Sequence, residues 1–177
     1  MIAVFIEVQG EQIPETASAE DEAGILHDGP EPEKDVFSFR VNGRCWKSHD
    51  GLKISYREPE EANVGNTDTT ITILPNGTVS VNRIGYLNAG MIFEEGVPHV
   101  CVYDAGFLQL QITLRTHQLI HSVSEAGGCI DIDYSIEVGG RAEGRNRLKI
   151  LITPAIPPVV RNESRPDSAP KSRSARV

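Results

Sequence analysis

The stretch from Phe107 to Val138, FLQLQITLRTHQLIHSVSEAGGCIDIDYSIEV, decides the fold. Leu108, Leu110, Ile112 and Leu114 recur at every second position, and so do Ile130, Ile132, Tyr134, Ile136 and Val138. Successive side chains of a β-strand point to opposite faces, so this period gathers the apolar ones on a single side. Between the runs stands Gly127-Gly128, which supplies the positive-φ backbone of a tight reversal. The segment reads as antiparallel strands joined by hairpins.

Outward from it the same pattern continues. Short alternating runs fill Val36 to Thr153, separated by His49-Asp50-Gly51, Pro75-Asn76-Gly77, Asp104-Ala105-Gly106 and Gly139-Gly140, with no helix-period stretch among them. The candidate strands are Ile2 to Gln9, Val36 to Trp46, Leu52 to Glu58, Thr69 to Leu74, Thr78 to Ile84, Asn88 to Glu94, Val97 to Tyr103, Phe107 to Thr116, Gln118 to Ser124, Cys129 to Val138 and Asn146 to Thr153. A long antiparallel sheet with such short connections closes on itself, because closure removes exposed edges. The expected class is all-β, a closed antiparallel meander barrel.

A chain of 177 residues buries roughly 70% of the surface its unfolded form exposes, enough for one real core. Its apolar runs are far shorter than the ~20 residues a membrane helix requires. The start, Met1 to Gln9, has no basic region and carries Glu7 within its apolar run, so it reads as a strand rather than a signal peptide. Cys45, Cys101 and Cys129 are odd in number and far apart, which suits free thiols in a reducing compartment. A cytoplasmic location is expected, and the sequons at Asn76 and Asn162 then carry no information.

The net charge of −8 is unevenly distributed. Residues 11–35 hold nine acids against Lys34, whereas 161–177 hold five bases against two acids. Neither Glu11 to Lys34 nor Pro154 to Val177 has the apolar content to offset the entropy of ordering. The expected organisation is a first barrel strand at 1–10, an acidic flexible insert at 11–35, the barrel domain at 36–153 and a disordered basic tail at 154–177.

Parity names the interior: Phe37, Phe39 and Val41; Leu52, Ile54 and Tyr56; Val79 and Val81; Leu108 to Leu114; Ile130 to Val138; Leu148, Ile150 and Ile152. One further step along the same faces reaches Glu58, Arg83 and Thr116, so two opposite charges point into an apolar barrel. In the structural reading Glu58 and Arg83 pair with each other, since buried charges are seldom tolerated alone. In the functional reading Arg83 anchors an anionic head group, with Tyr56, Glu58, Tyr103, Thr116 and Tyr134 around it. An interior left open by Tyr56, Arg83, Thr116 and Tyr134 favours the ligand. One filled by Phe37, Phe39, Leu110, Leu114 and Ile132 favours a scaffold.

The order Ile54-Ser-Tyr-Arg-Glu58, Thr69-Thr-Ile71, Val81-Asn-Arg-Ile-Gly85, Met91-Ile-Phe-Glu94, Tyr103, Leu110 to Thr116 and Gly127-Gly-Cys-Ile-Asp-Ile-Asp-Tyr134 resembles the YwiB-like bacterial proteins, a domain of unknown function. The resemblance covers Val36 to Thr153 and the first strand, and rests on the spacing of all these segments together. It implies a calycin-type, lipocalin-like barrel with no established activity, and favours a small-ligand binder by analogy of fold. The acidic insert and basic tail depart from that pattern.

Other chemistries find little support. His117 and His121 lie four apart, which on a strand is ~13 Å, too far to share one ion. His49 beside Asp50 belongs to a hairpin turn, no serine sits in a Gly-x-Ser-x-Gly elbow, and Cys101 reads as a buried inert thiol. A basic stripe of Arg141, Arg145, Arg147 and Lys149, continued by the tail, is a candidate surface for phosphates of a nucleic acid. It has no aromatic stacking platform beside it, and solvated charge is the common meaning of such runs. The expectation is a non-enzymatic barrel, without metal or cofactor, that binds a small anionic or amphipathic molecule. The alternative is a packed scaffold with a protein partner or, less favoured, RNA.

Overall fold

A computed structural model describes residues 1–14, 34–60 and 66–155. Ten strands make one closed barrel: β1 (Ile2–Pro14), β2 (Asp35–Ser48), β3 (Gly51–Arg57), β4 (Asp68–Ile73), β5 (Val79–Ile84), β6 (Asn88–Phe93), β7 (Pro98–Asp104), β8 (Gln109–Ser124), β9 (Gly127–Val138) and β10 (Arg141–Pro154). Each strand pairs antiparallel with its neighbours in sequence, and β1 pairs with β10 to shut the ring.

The turns form where the glycines stand. Gly139 and Gly140 connect β9 to β10 with φ of 58° and 80°, the consecutive left-handed pair that a two-residue hairpin requires. At Gly128, φ is 145° and an added Cβ would lie 1.8 Å from the Ser122 carbonyl oxygen, so only glycine fits.

The wall is uneven in height. β8, β9, β10, β1 and β2, consecutive around the ring, have 12 to 16 residues, whereas β3 to β7 have 6 or 7. Because strands alternate in direction, β2, β4, β6, β8 and β10 all start at the same end, the upper end below. The ladder between β6 and β7 is brief, pairing Asn88 with Asp104 and Ala89 with Tyr103.

The core is mainly isoleucine: Ile6, Ile54, Ile71, Ile130 and Ile132 are fully buried, with Phe93 and Leu114 among them. Each such side chain contributes roughly 1.5–3 kcal/mol by leaving water, so the packed interior is the main source of stability.

Several sequence expectations need correction. The first strand runs to Pro14 and the second begins at Asp35, so both ends of the expected 11–35 insert are barrel; residues 15–33 lie outside the described residues. Likewise β10 includes Pro154, and residues 156–177 lie outside them. The two segments Phe107 to Thr116 and Gln118 to Ser124 are a single strand, β8, broken by a bulge. Thr116 faces Tyr134 and Gln118 faces Asp133, leaving His117 as the extra residue. Phe37, Leu108 and Leu110 do not fill the interior: Phe37 is 52% and Leu110 39% exposed. Their parity is inward, but they stand at the upper end, above the packed layers.

Candidate functional site

The two inward charges meet. Glu58 follows β3, Arg83 lies one residue before the end of β5, Thr69 lies on β4 between them, and Tyr103 lies one residue before the end of β7. Arg83 donates from Nε to Glu58 Oε1 at 3.0 Å and from Nη2 to Oε2 at 2.5 Å, a forked pair. Thr69 Oγ1 donates to Glu58 Oε1 at 2.6 Å, and Arg83 Nη1 reaches the Tyr103 hydroxyl at 3.3 Å. Glu58 is only 6% exposed. With its charge matched inside the protein, Arg83 is a weak anchor for an external anion.

Tyrosines surround this pair. Burial, then the Glu58 carboxylate, pushes the Tyr56 hydroxyl well above its ordinary pKa; burial, then Tyr103, does the same to Tyr134. Both stay neutral hydrogen-bonding groups at any physiological pH. Tyr56 packs against Phe39 with ring centres 6.2 Å apart, and Phe39 stacks on Phe37 at 6.3 Å. Tyr134 meets Phe93 edge-on at 5.0 Å.

Tyr134 centres a second polar row. Its cross-strand partners are Thr116 on β8 and Asn146 on β10, and Asn146 in turn faces Gln12 on β1. Residues directly opposite in a sheet share a face, so the row turns inward. Thr116 is 4% and Asn146 8% exposed, yet Thr116 Oγ1 and Asn146 Nδ2 have no hydrogen-bond partner among the described residues. Beside Asn146 a recess of about 60 Å³ opens at the upper end, bounded by Gly10, Gln12, Phe37, Tyr134 and Leu148. Sequence reading took in Tyr134 and Thr116 but passed over Asn146. The signal was there: Asn146 continues the Leu148-Ile150-Ile152 face by one step, as Glu58 continues that of Tyr56.

The basic stripe is largely matched by acids on the neighbouring strand. Arg145 donates to both oxygens of Asp133 at 2.8 and 2.7 Å, and Arg147 to both oxygens of Asp131 at 3.0 and 2.7 Å. The hydrogen bonds from these arginines hold both aspartates below the usual carboxylate range. Arg141 and Lys149 are exposed on the same strand.

The histidines are dispersed. His117, at the bulge, contacts Ser135 Oγ at 3.0 Å, while His121 contacts the Gly77 carbonyl at 3.0 Å. His49 pairs with Asp50 at 2.7 Å, and that carboxylate also takes Lys53. Among the described residues no group of three or more His, Cys, Asp or Glu side chains is placed to hold a metal ion. Cys45 and Cys101 are buried free thiols, each with its pKa raised chiefly by burial. No described helix is long and apolar enough to cross a membrane.

The family described as "Domain of unknown function (DUF1934)" matches residues 26–150. The chain belongs to this family. A relative is the uncharacterized β-barrel protein YwiB of Bacillus subtilis strain 168, 26% identical over 117 residues, which span 66% of this chain and 80% of YwiB. The crystal structure of YwiB from Bacillus subtilis superposes with a TM-score of 0.68 at 20% identity, covering 88% of this chain and 93% of that one. The closed barrel is therefore shared with a solved member of the YwiB group. The family's description assigns no activity.

Proposed function

We propose that this protein is a non-enzymatic, cytoplasmic binder of a small amphipathic molecule, received at the upper end of the barrel rather than within it. One observation carries the reading. Phe37, Ile84, Tyr86, Phe107, Leu108 and Leu110, all exposed, lie at the strand ends and connections of the same end where Arg83, Tyr103 and Asn146 sit. Apolar rim and polar floor together suit a molecule with an apolar body and a polar head. The isoleucine-filled lower barrel leaves the interior to structure.

The test begins with native mass spectrometry of gently purified protein against the same sample denatured, where a released small molecule is the expected result. Binding of the neutral dye Nile red should be saturable and should weaken at least ~10-fold, a loss of about 1.4 kcal/mol, in Leu110→Ser. A bare mass together with dye binding indifferent to Leu110 overturns the reading. That result would favour a packed scaffold acting through its outer surface, a second reading supported by the filled core and by exposed Val100 and Val102 on β7.

A further inference from the structure

We infer that the recess beside Asn146 is a head-group site for an uncharged, planar molecule bearing a carbonyl acceptor, such as a primary amide or lactam. This rests on the reading above and specifies its polar half. The first support is the unspent donor. Asn146 is more than nine-tenths buried, lines the recess, and offers Nδ2 with no partner among the described residues. A buried amide left unsatisfied is costly, and native interiors seldom keep one without a reason. A carbonyl oxygen seated in the recess would accept from it.

The walls select for a flat group. Gly10 has no side chain, and the Phe37 ring lies over it so closely that a Cβ there would be 2.1 Å from Phe37 Cε1. Tyr134 contributes a second aromatic side chain to the lining. A recess of about 60 Å³ has room for a few waters, hence for a head group and not for a whole ligand of ordinary size, whose pockets run ~300 Å³ or more. The body of the molecule would then lie on the exposed part of Phe37 and the rim.

The charges at the recess argue against an anion. Glu11 and Asp35 border it. Of the nearby cations, Arg147 is forked onto Asp131 and Lys34 pairs with Glu11 at 2.6 Å. An incoming carboxylate would meet acids and already paired bases, whereas a neutral amide meets a free donor. This redirects the sequence-based expectation of an anionic ligand held by Arg83.

Benzamide, benzoate and benzamidine share one shape and differ in charge, and can be titrated into the full-length ¹⁵N-labelled protein by NMR. Benzamide should shift the backbone amides of Gly10, Tyr134 and Asn146 saturably, with benzoate and benzamidine at least tenfold weaker. Asn146→Leu should lower benzamide affinity at least tenfold while the melting temperature stays level or rises, and Asn146→Asp should turn the preference towards benzamidine. Benzoate binding as tightly as benzamide, benzamide binding unchanged in both Asn146 variants, or no shift at the recess with any probe overturns the inference. Nile red binding separates the two levels: dye binding retained without benzamide binding defeats the head-group assignment alone, while loss of both defeats the wider reading too.

Discussion

Replacing Arg83 with methionine removes the guanidinium while keeping much of the side-chain volume. Glu58, 6% exposed, then loses both arms of the fork and retains Thr69 Oγ1 as its remaining partner. Breaking a buried pair on one side strands an uncompensated charge, which costs about 3–5 kcal/mol. At ~2–4 °C per kcal/mol for a chain of this size, the melting temperature should fall by roughly 6–20 °C. Removing both charges has the opposite logic. Glu58→Leu with Arg83→Met leaves no ion to solvate, so the double variant should melt within ~3 °C of wild type or above it. Thermal unfolding followed by the fluorescence of Trp46, the single tryptophan, reads both variants. A single variant melting within about 2 °C of wild type, or a double variant as unstable as the single, would refute the reasoning.

Gly128→Ala should destabilise the barrel by about 2 kcal/mol or more, since the new methyl meets the Ser122 carbonyl at 1.8 Å in a backbone conformation that L side chains rarely adopt; a urea midpoint equal to wild type contradicts this. Asp131 and Asp133, held low by Arg147 and Arg145, have folded pKa values below their unfolded ones. Their contribution is therefore complete above the unfolded value of ~3.9 and is lost as pH falls through the folded one. Because the arginines are exposed, solvent screens each pair and its contribution is small. Arg145→Ala with Arg147→Ala should leave a shallower decline of stability below about pH 4, checked by denaturant melts across that range.

Most of the barrel was legible because period-two alternation reports a face directly. Glu58 and Arg83 were found that way: each sits one step beyond an apolar run, and they meet. What alternation does not report is height. Phe37 and Leu110 have inward parity but stand above the packed layers, and parity alone cannot separate a core residue from a rim residue. Nor does it reveal a bulge. His117 is the extra residue of β8, so Leu119 returns to the inward face opposite Ile132, a shift that a strictly alternating reading splits into two strands. The turns were the clearest of all, because Gly139-Gly140 is demanded by backbone geometry whatever lies around it. The acids opposite Arg145 and Arg147 were visible as residues, but their partnership depends on the β9–β10 register, fixed only once the hairpin is formed.

The seam between β1 and β10 bears on how the protein is made. Ile6 pairs with Ile152 and Val8 with Ile150, so β1 waits for β10, which is made nine strands later. Until β10 leaves the ribosome, β1 presents one bare edge, and so does β9 once it is made. Long-range pairings of this kind fold slowly, and unpaired edges invite association with other chains. A ribosome stalled within β10 would release a chain carrying most of the core sequence and two adhesive flanks. For this protein the interval before β10 emerges carries the greatest hazard of aggregation.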